Sequence, residues 1–203
     1  MDITPILIYM DITPILISFV TIFIIMDPFA SLPFFLALTQ GHKNSELART
    51  ANKAVLIAGL LALVFVFTGT AILNVLSITL SDFRIAGGIV LGLLGLENVL
   101  GFSFSNHLHN KSESLDSAAV LIATPLLTGP GLITSLVVLT HEYGTSLVLI
   151  SLLAALFLSW LILRNAVLAK KLLGDKIIII FSKVMGLLLI AMGIAYMRAG
   201  LLG

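Results

Sequence analysis

Two prolines five residues apart interrupt an apolar run at Pro28-Phe29-Ala30-Ser31-Leu32-Pro33. The same interruption returns 97 residues later at Pro125-Leu126-Leu127-Thr128-Gly129-Pro130. Each run is otherwise long enough to cross a bilayer as a helix, which takes about 20 mostly apolar residues. Proline removes a backbone donor and clashes with the preceding turn, so such a pair breaks a helix. Inside hydrocarbon, broken backbone survives only when it is buried in protein or lines a wet cavity. Paired breaks at corresponding places in two halves are the strongest sequence pointer to a binding site in a membrane carrier.

Composition agrees that the chain lives in a membrane. It is 59% hydrophobic and 10% charged over 203 residues, with a mean hydropathy of +1.17, whereas soluble domains are about a quarter charged. There is no cysteine, hence no disulfide framework and no thiol chemistry. A net charge of +1 offers no basic patch for nucleic acid. Residues Met1 to Ile8 recur as Met10 to Ile17, a duplicated start or a short interfacial stretch. No basic region precedes the first apolar run, which is therefore expected to stay as a span.

Six segments are apolar enough to span: Ile12 to Leu38, Ala54 to Leu76, Phe83 to Phe102, Ala118 to Leu139, Ser146 to Leu163 and Ile177 to Ala199. Polar connectors separate them at Gln40 to Lys53, Ser103 to Ser117 and Arg164 to Lys176. The side holding these connectors collects nine Lys/Arg: Lys43, Arg49, Lys53, Lys111, Arg164, Lys170, Lys171, Lys176 and Lys183. The other side has two, Arg84 and Arg198. Positive charge marks the cytoplasm, so both termini are predicted outside.

The proline pairs match at an offset of 97, and Phe83-Arg84-Ile85-Ala86-Gly87 matches Ser182-Lys183-Val184-Met185-Gly186 at 98 to 99. A three-span unit must reverse its direction the second time. The predicted fold is therefore an all-α membrane protein of six transmembrane helices, arranged as two inverted-topology three-helix repeats with the first and fourth helices broken. A leader (1–11), the first repeat (12–102), a cytoplasmic connector (103–117) and the second repeat (118–203) follow in order. Proline and glycine are common in membrane helices; that accounts for one kink more easily than for two at equivalent places.

A new half-helix begins with unpaired N–H groups and partial positive charge, which suits a carboxylate. The predicted donors are the amides of Ala30, Ser31 and Leu32 in one break and of Leu127, Thr128 and Gly129 in the other, with Pro33 in the first turn of its half-helix. The hydroxyls of Ser31 and Thr128 cap the helix or reach a ligand. Gly129 and Gly131 admit backbone or ligand closely. With Thr124, these residues line a narrow, neutral site for a small carboxylate.

Charged residues within spans are costly in lipid and point to function. Asp27 precedes the first break; it meets a substrate amine, carries a proton, pairs with a cation, or is hydrated at the membrane edge. Glu97 is the other candidate for ion coupling, unless it reaches water at the end of its span. Arg84 and Lys183 open spans on opposite faces and either snorkel to the interface or act as gates. His107 and His109 in a connector are a weak metal signal, and neither metal nor cofactor is expected. Gly87, Gly88, Gly92 and Gly95 permit close helix contact within one molecule or between copies, so a homo-oligomer is a further expectation.

The segments Asp27 to Phe35, Phe83 to Gly88 and Ala123 to Gly131 resemble, in order, three motifs of the MarC family of membrane proteins. The resemblance covers essentially the whole chain after the duplicated start. It implies a small neutral amino acid transporter of the glycine or alanine class, proton-driven, with its site at the two broken helices. A carrier working by alternating access is thus the leading expectation. The alternatives are an exporter of another small metabolite or drug-like compound, or a passive channel, although no charge ring or carbonyl filter is present. An enzyme is not expected, because no histidine lies mid-span and no hydrolytic constellation is visible.

Overall fold

The computed structural model describes residues 12–101 and 115–202, which are helical with short connections. The helices are α1 (Thr13–Met26), α2 (Pro28–Leu38), α3 (Asn44–Val75), α4 (Leu80–Leu100), α5 (Leu115–Leu121), α6 (Pro130–Tyr143), α7 (Thr145–Arg164) and α8 (Ala166–Leu202). A π-helical stretch, Ile122–Leu127, joins α5 to α6. Five helical stretches are long and apolar enough to cross a membrane: Thr13–Leu38, Asn44–Val75, Leu80–Leu100, Thr145–Arg164 and Ala166–Leu202. Residues 1–11 of the duplicated start, with His107, His109 and Lys111, lie outside the described residues; the rest of the repeat, from Thr13, is the first turn of α1.

Two predicted connectors are largely helix. α3 begins at Asn44, so only a short turn remains of the segment expected to loop from Gln40 to Lys53. Glu46 accepts from the Lys43 amide and so satisfies one donor at the start of that helix. Residues 166–173 are helical too, set off from 175–202 by Gly174 at φ 73°, a conformation glycine adopts without penalty. Hydropathy reports where lipid ends; the backbone hydrogen-bond ladder continues past it.

The buried centre lies where the two broken runs meet α7 and α3. Ile22, Met26, Leu32, Phe35, Ile122, Leu127, Leu132, Leu136 and Leu152 are fully enclosed there. Large apolar side chains such as Leu60, Phe67, Leu93, Phe157 and Ile194 face outward, as helices in hydrocarbon require.

The most extensive helix pair is α4 with α8. A Cβ on Gly88 would lie 2.5 Å from the Gly193 carbonyl oxygen, one on Gly95 2.5 Å from that of Gly186, and one on Gly200 2.6 Å from that of Ser81. One helix counts up by seven residues as the other counts down by seven, so the two run antiparallel in fixed register. Glycine at every second turn lets backbone meet backbone, the small-residue mode of helix packing in membranes. Gly88 and Gly95 thus make their close contact within the molecule. Gly87 packs against Thr134 of α6, and a Cβ added to Gly92 would meet nothing within 4 Å, although the Gly92 backbone itself lies against Gly193.

Candidate functional site

The first break is a single residue. Pro28 cannot donate to the helical ladder, and the residue before a proline is driven out of the right-handed helical region. Asp27 takes up left-handed φ 35° and ψ 67°, ending α1 and capping α2. Such a conformation outside glycine costs on the order of 1–3 kcal/mol and persists only when its surroundings impose it. They do so through four hydrogen bonds. Asp27 Oδ1 accepts from the Ala30 amide at 3.1 Å and Oδ2 from Asn98 Nδ2 at 2.8 Å. Its carbonyl accepts the Ser31 amide at 3.2 Å and the Ser31 hydroxyl at 3.1 Å. Asp27 is 5% exposed, so it is not a hydrated residue at the edge of the protein.

The donors predicted at this break need correction. The half-helix starts at Pro28, one turn earlier than expected, and Pro33 is interior to α2 rather than in its first turn. The Ala30 and Ser31 amides are not bare, because Asp27 supplies their acceptors. Leu32 is fully buried and Ala30 half-buried.

The second break is longer. Thr124 precedes Pro125 and is extended, at φ −136° and ψ 109°, the conformation a residue before proline prefers. Gly129 is extended as well and stands before Pro130, which opens α6 with no side-chain cap. Thr128 folds back on the break: its amide and hydroxyl both donate to the Ala123 carbonyl, at 2.9 Å and 2.5 Å. The Thr128 amide is therefore engaged and not bare. Ser31 and Thr128 act alike: each hydroxyl adds a second hydrogen bond to a carbonyl that already accepts its own residue's amide, and neither caps new N–H groups. Leu127, Thr128 and Gly129 are buried, whereas Thr124 is exposed. Gly131 packs on Leu91 and Leu94 of α4.

The two breaks meet. α1 packs on α6, and α2 on the Ile122–Leu127 stretch and α5. Asp27, Ser31, Leu127 and Thr128 are all buried where these elements pack, while Thr124 is exposed. Asn98 ties this region to α4; its neighbour Glu97 is half-buried. Arg84 is half-buried and ion-paired with Glu142 at the end of α6; Lys183 is exposed. At the other end of the molecule Lys53 pairs with Asp116 at 2.5 Å. That hydrogen bond and charge hold the Asp116 carboxyl below the usual carboxylate range. A cavity of about 480 Å³ lies away from the breaks, among Thr70, Asn74, Ser77, Thr79 and His141 where α3, α4 and α6 end.

Sequence reasoning missed the partners. Asn98 follows Glu97 in a helix, and nothing in the local pattern ties it to a residue 71 positions earlier. Glu142 went unmarked because it sits past the apolar run. The signal that existed was chemical: a buried carboxylate demands donors, and Asn98 is a neutral donor one position from the charge already singled out.

The family model described as MarC family integral membrane protein matches residues 12–203. The UPF0056 membrane protein MJ1677 of Methanocaldococcus jannaschii is 34% identical, over 96% of this chain and 98% of its own. A UPF0056 membrane protein of Archaeoglobus fulgidus is 33% identical, over 91% and 90%. The UPF0056 inner membrane protein YhgN of Escherichia coli is 32% identical, over 85% and 88%. No solved structure matches. With the family's model covering everything after the duplicated start and these relatives aligned nearly end to end, the chain belongs to the MarC family of integral membrane proteins.

Proposed function

We propose that this protein is a secondary transporter of small neutral amino acids of the glycine or alanine class, proton-coupled, working in a cytoplasmic membrane by alternating access around the two breaks. The spans number six, the fourth running from Ala118 in α5 through the π stretch to Leu139 in α6. Residues 12–102 and 118–203 form inverted three-helix repeats joined by 103–117, with both termini outside.

The observation that carries the reading is the pair of breaks. The residues before the first proline of each pair, Asp27 and Thr124, both leave helical geometry, at the same offset of 97 as the prolines, and the two broken runs pack against each other in the buried centre. Packing supports the repeat. Shifting by 98 residues turns the Gly88–Gly193 contact into Gly186–Gly95, a contact that is present. α2 packs on α8 as α6 packs on α4, which is what exchanging the halves requires. A small site with backbone groups, two hydroxyls and one carboxylate suits a zwitterion of few atoms. In this conformation Asp27, Ser31 and Thr128 are each at most 5% exposed, an occluded state in an alternating cycle.

The test is glycine uptake by proteoliposomes under an inward proton gradient. One proton per glycine sets an accumulation ceiling of about tenfold per pH unit, since tenfold corresponds to about 1.4 kcal/mol. Saturable accumulation that collapses with a protonophore is expected. No uptake of any small amino acid, in either direction, overturns the proposal; linear, non-saturating flux assigns a channel instead.

A further inference from the structure

Asp27 is over-qualified as a helix cap. Capping needs an oxygen, not a charge, and asparagine caps as well and tolerates the left-handed conformation. A carboxylate here is nonetheless buried, and none of the ion pairs among the described residues includes it. Its ionised form is held by neutral N–H donors alone, from the Ala30 and Phe29 amides and from Asn98. A buried charge held this way is poorly compensated, so gaining a proton removes a desolvation cost.

Asn98 is suited to either state of that carboxyl. Its Nδ2 donates to a carboxylate; turned over, its Oδ1 accepts from a carboxylic acid. The amide is also held from behind. A Cβ on Gly186 of α8 would lie 2.8 Å from the Asn98 Cβ and 2.9 Å from the Gly95 carbonyl oxygen. One side chain thus touches both the first break and the glycine seam between α4 and α8.

Resting on the transport reading above, we propose that Asn98 is the positioning residue through which the protonation state of Asp27 is felt by the α4–α8 pair. A proton entering from the solution that reaches the break adds to an Asp27 carboxylate oxygen, Asn98 reverses its amide, and the hold between the break and the seam changes. Release of the proton to the other side reverses the step. The other ionisable groups on the helices packed around this one are few. α4 offers Glu97, with Asp82 and Arg84 in its first turns, α8 offers Lys183, Tyr196 and Arg198 within its span, and α5 offers Asp116 in its first turn. α6 and α7 carry theirs, His141, Glu142, Tyr143 and Arg164, in their last turns.

The experiment compares two assays on one reconstituted protein: proton-driven net glycine uptake, and glycine counterflow at equal pH on both sides. Asn98→Leu fills the space with neither donor nor acceptor. It is expected to bring accumulation down to about unity, from a ceiling of about tenfold per pH unit, and to flatten the dependence of uptake on external pH. Counterflow should stay within about threefold of wild type. Asn98→Ser, which keeps a group that both donates and accepts, should recover part of the accumulation. Gly186→Ala, crowding Asn98 from α8, should reproduce part of the Asn98→Leu loss. Asn98→Leu that still accumulates glycine overturns the proposal. So does its loss of both assays together in a monodisperse protein, which would make Asn98 part of substrate binding or of the fold. Wild-type counterflow without proton-driven accumulation also overturns it, while leaving transport standing. Wild type silent in both assays removes the transport reading itself.

Discussion

Asp27→Asn is expected to leave the fold intact while ending proton-driven glycine accumulation. Asparagine presents the same capping oxygen to the Ala30 amide, now held at 3.1 Å, and is among the few residues that adopt left-handed backbone readily. Its own amide can donate to Asn98 Oδ1 once that side chain turns over, so the 2.8 Å link has a neutral replacement. What it cannot do is take up and release a proton. Accumulation should therefore fall from about tenfold per pH unit to about unity, with counterflow retained at a raised half-saturating glycine concentration and the melting temperature within a few degrees of wild type. Asp27→Leu makes the contrast. It loses the cap, costing about 1 kcal/mol, and must hold a left-handed conformation at a further cost of about 1–2 kcal/mol. That variant should be visibly less stable in detergent, by thermal-shift or size-exclusion measurements, and inactive in both assays.

The largest effect on stability is expected from Gly193→Leu. A Cβ there would meet the Gly88 carbonyl oxygen at 2.6 Å and the Gly92 amide nitrogen at 2.8 Å, and neither backbone atom can swing aside. Helices α4 and α8 must part along their whole seam, because the contacts at Ser81–Gly200, Gly88–Gly193 and Gly95–Gly186 share one register. The cost should exceed the usual 1–3 kcal/mol or so of overpacking and appear as loss of folded protein after extraction. Gly92→Ala is the internal control: nothing lies within 4 Å of its added Cβ. Alanine in place of a helical glycine should there be neutral or stabilising by up to about 1 kcal/mol.

The sequence carried the breaks well because their cause is local. Each follows from one proline and the residue before it, and Asp27 and Thr124 are those residues. The exact start of each half-helix was less legible. Pro33 reads as a first-turn residue by type, but the Asp27 carboxylate and carbonyl satisfy the donors that would otherwise have moved the break later. Glycine spacing announced close packing, and the partner helix was legible only as far as the repeat offset went. The exposure of Thr124 was hidden, since its alignment with Asp27 places it in sequence and not in rotation about the axis. Long-range partners, Asn98 for Asp27 and Glu142 for Arg84, leave no periodic trace, because one hydrogen bond constrains one residue at each end.

Whether the two breaks form one site is tested most directly by thiol protection. The chain has no cysteine, so Ser31→Cys and Thr128→Cys each report without background. Both positions are almost fully buried here and become reactive to a water-soluble methanethiosulfonate only when the protein opens. Saturating glycine is expected to slow labelling at both positions, with the same half-maximal concentration at each, and leucine to slow neither. Reaction at both thiols that ignores glycine, or that proceeds only with lipid-soluble reagents, would contradict a shared pocket between the broken helices.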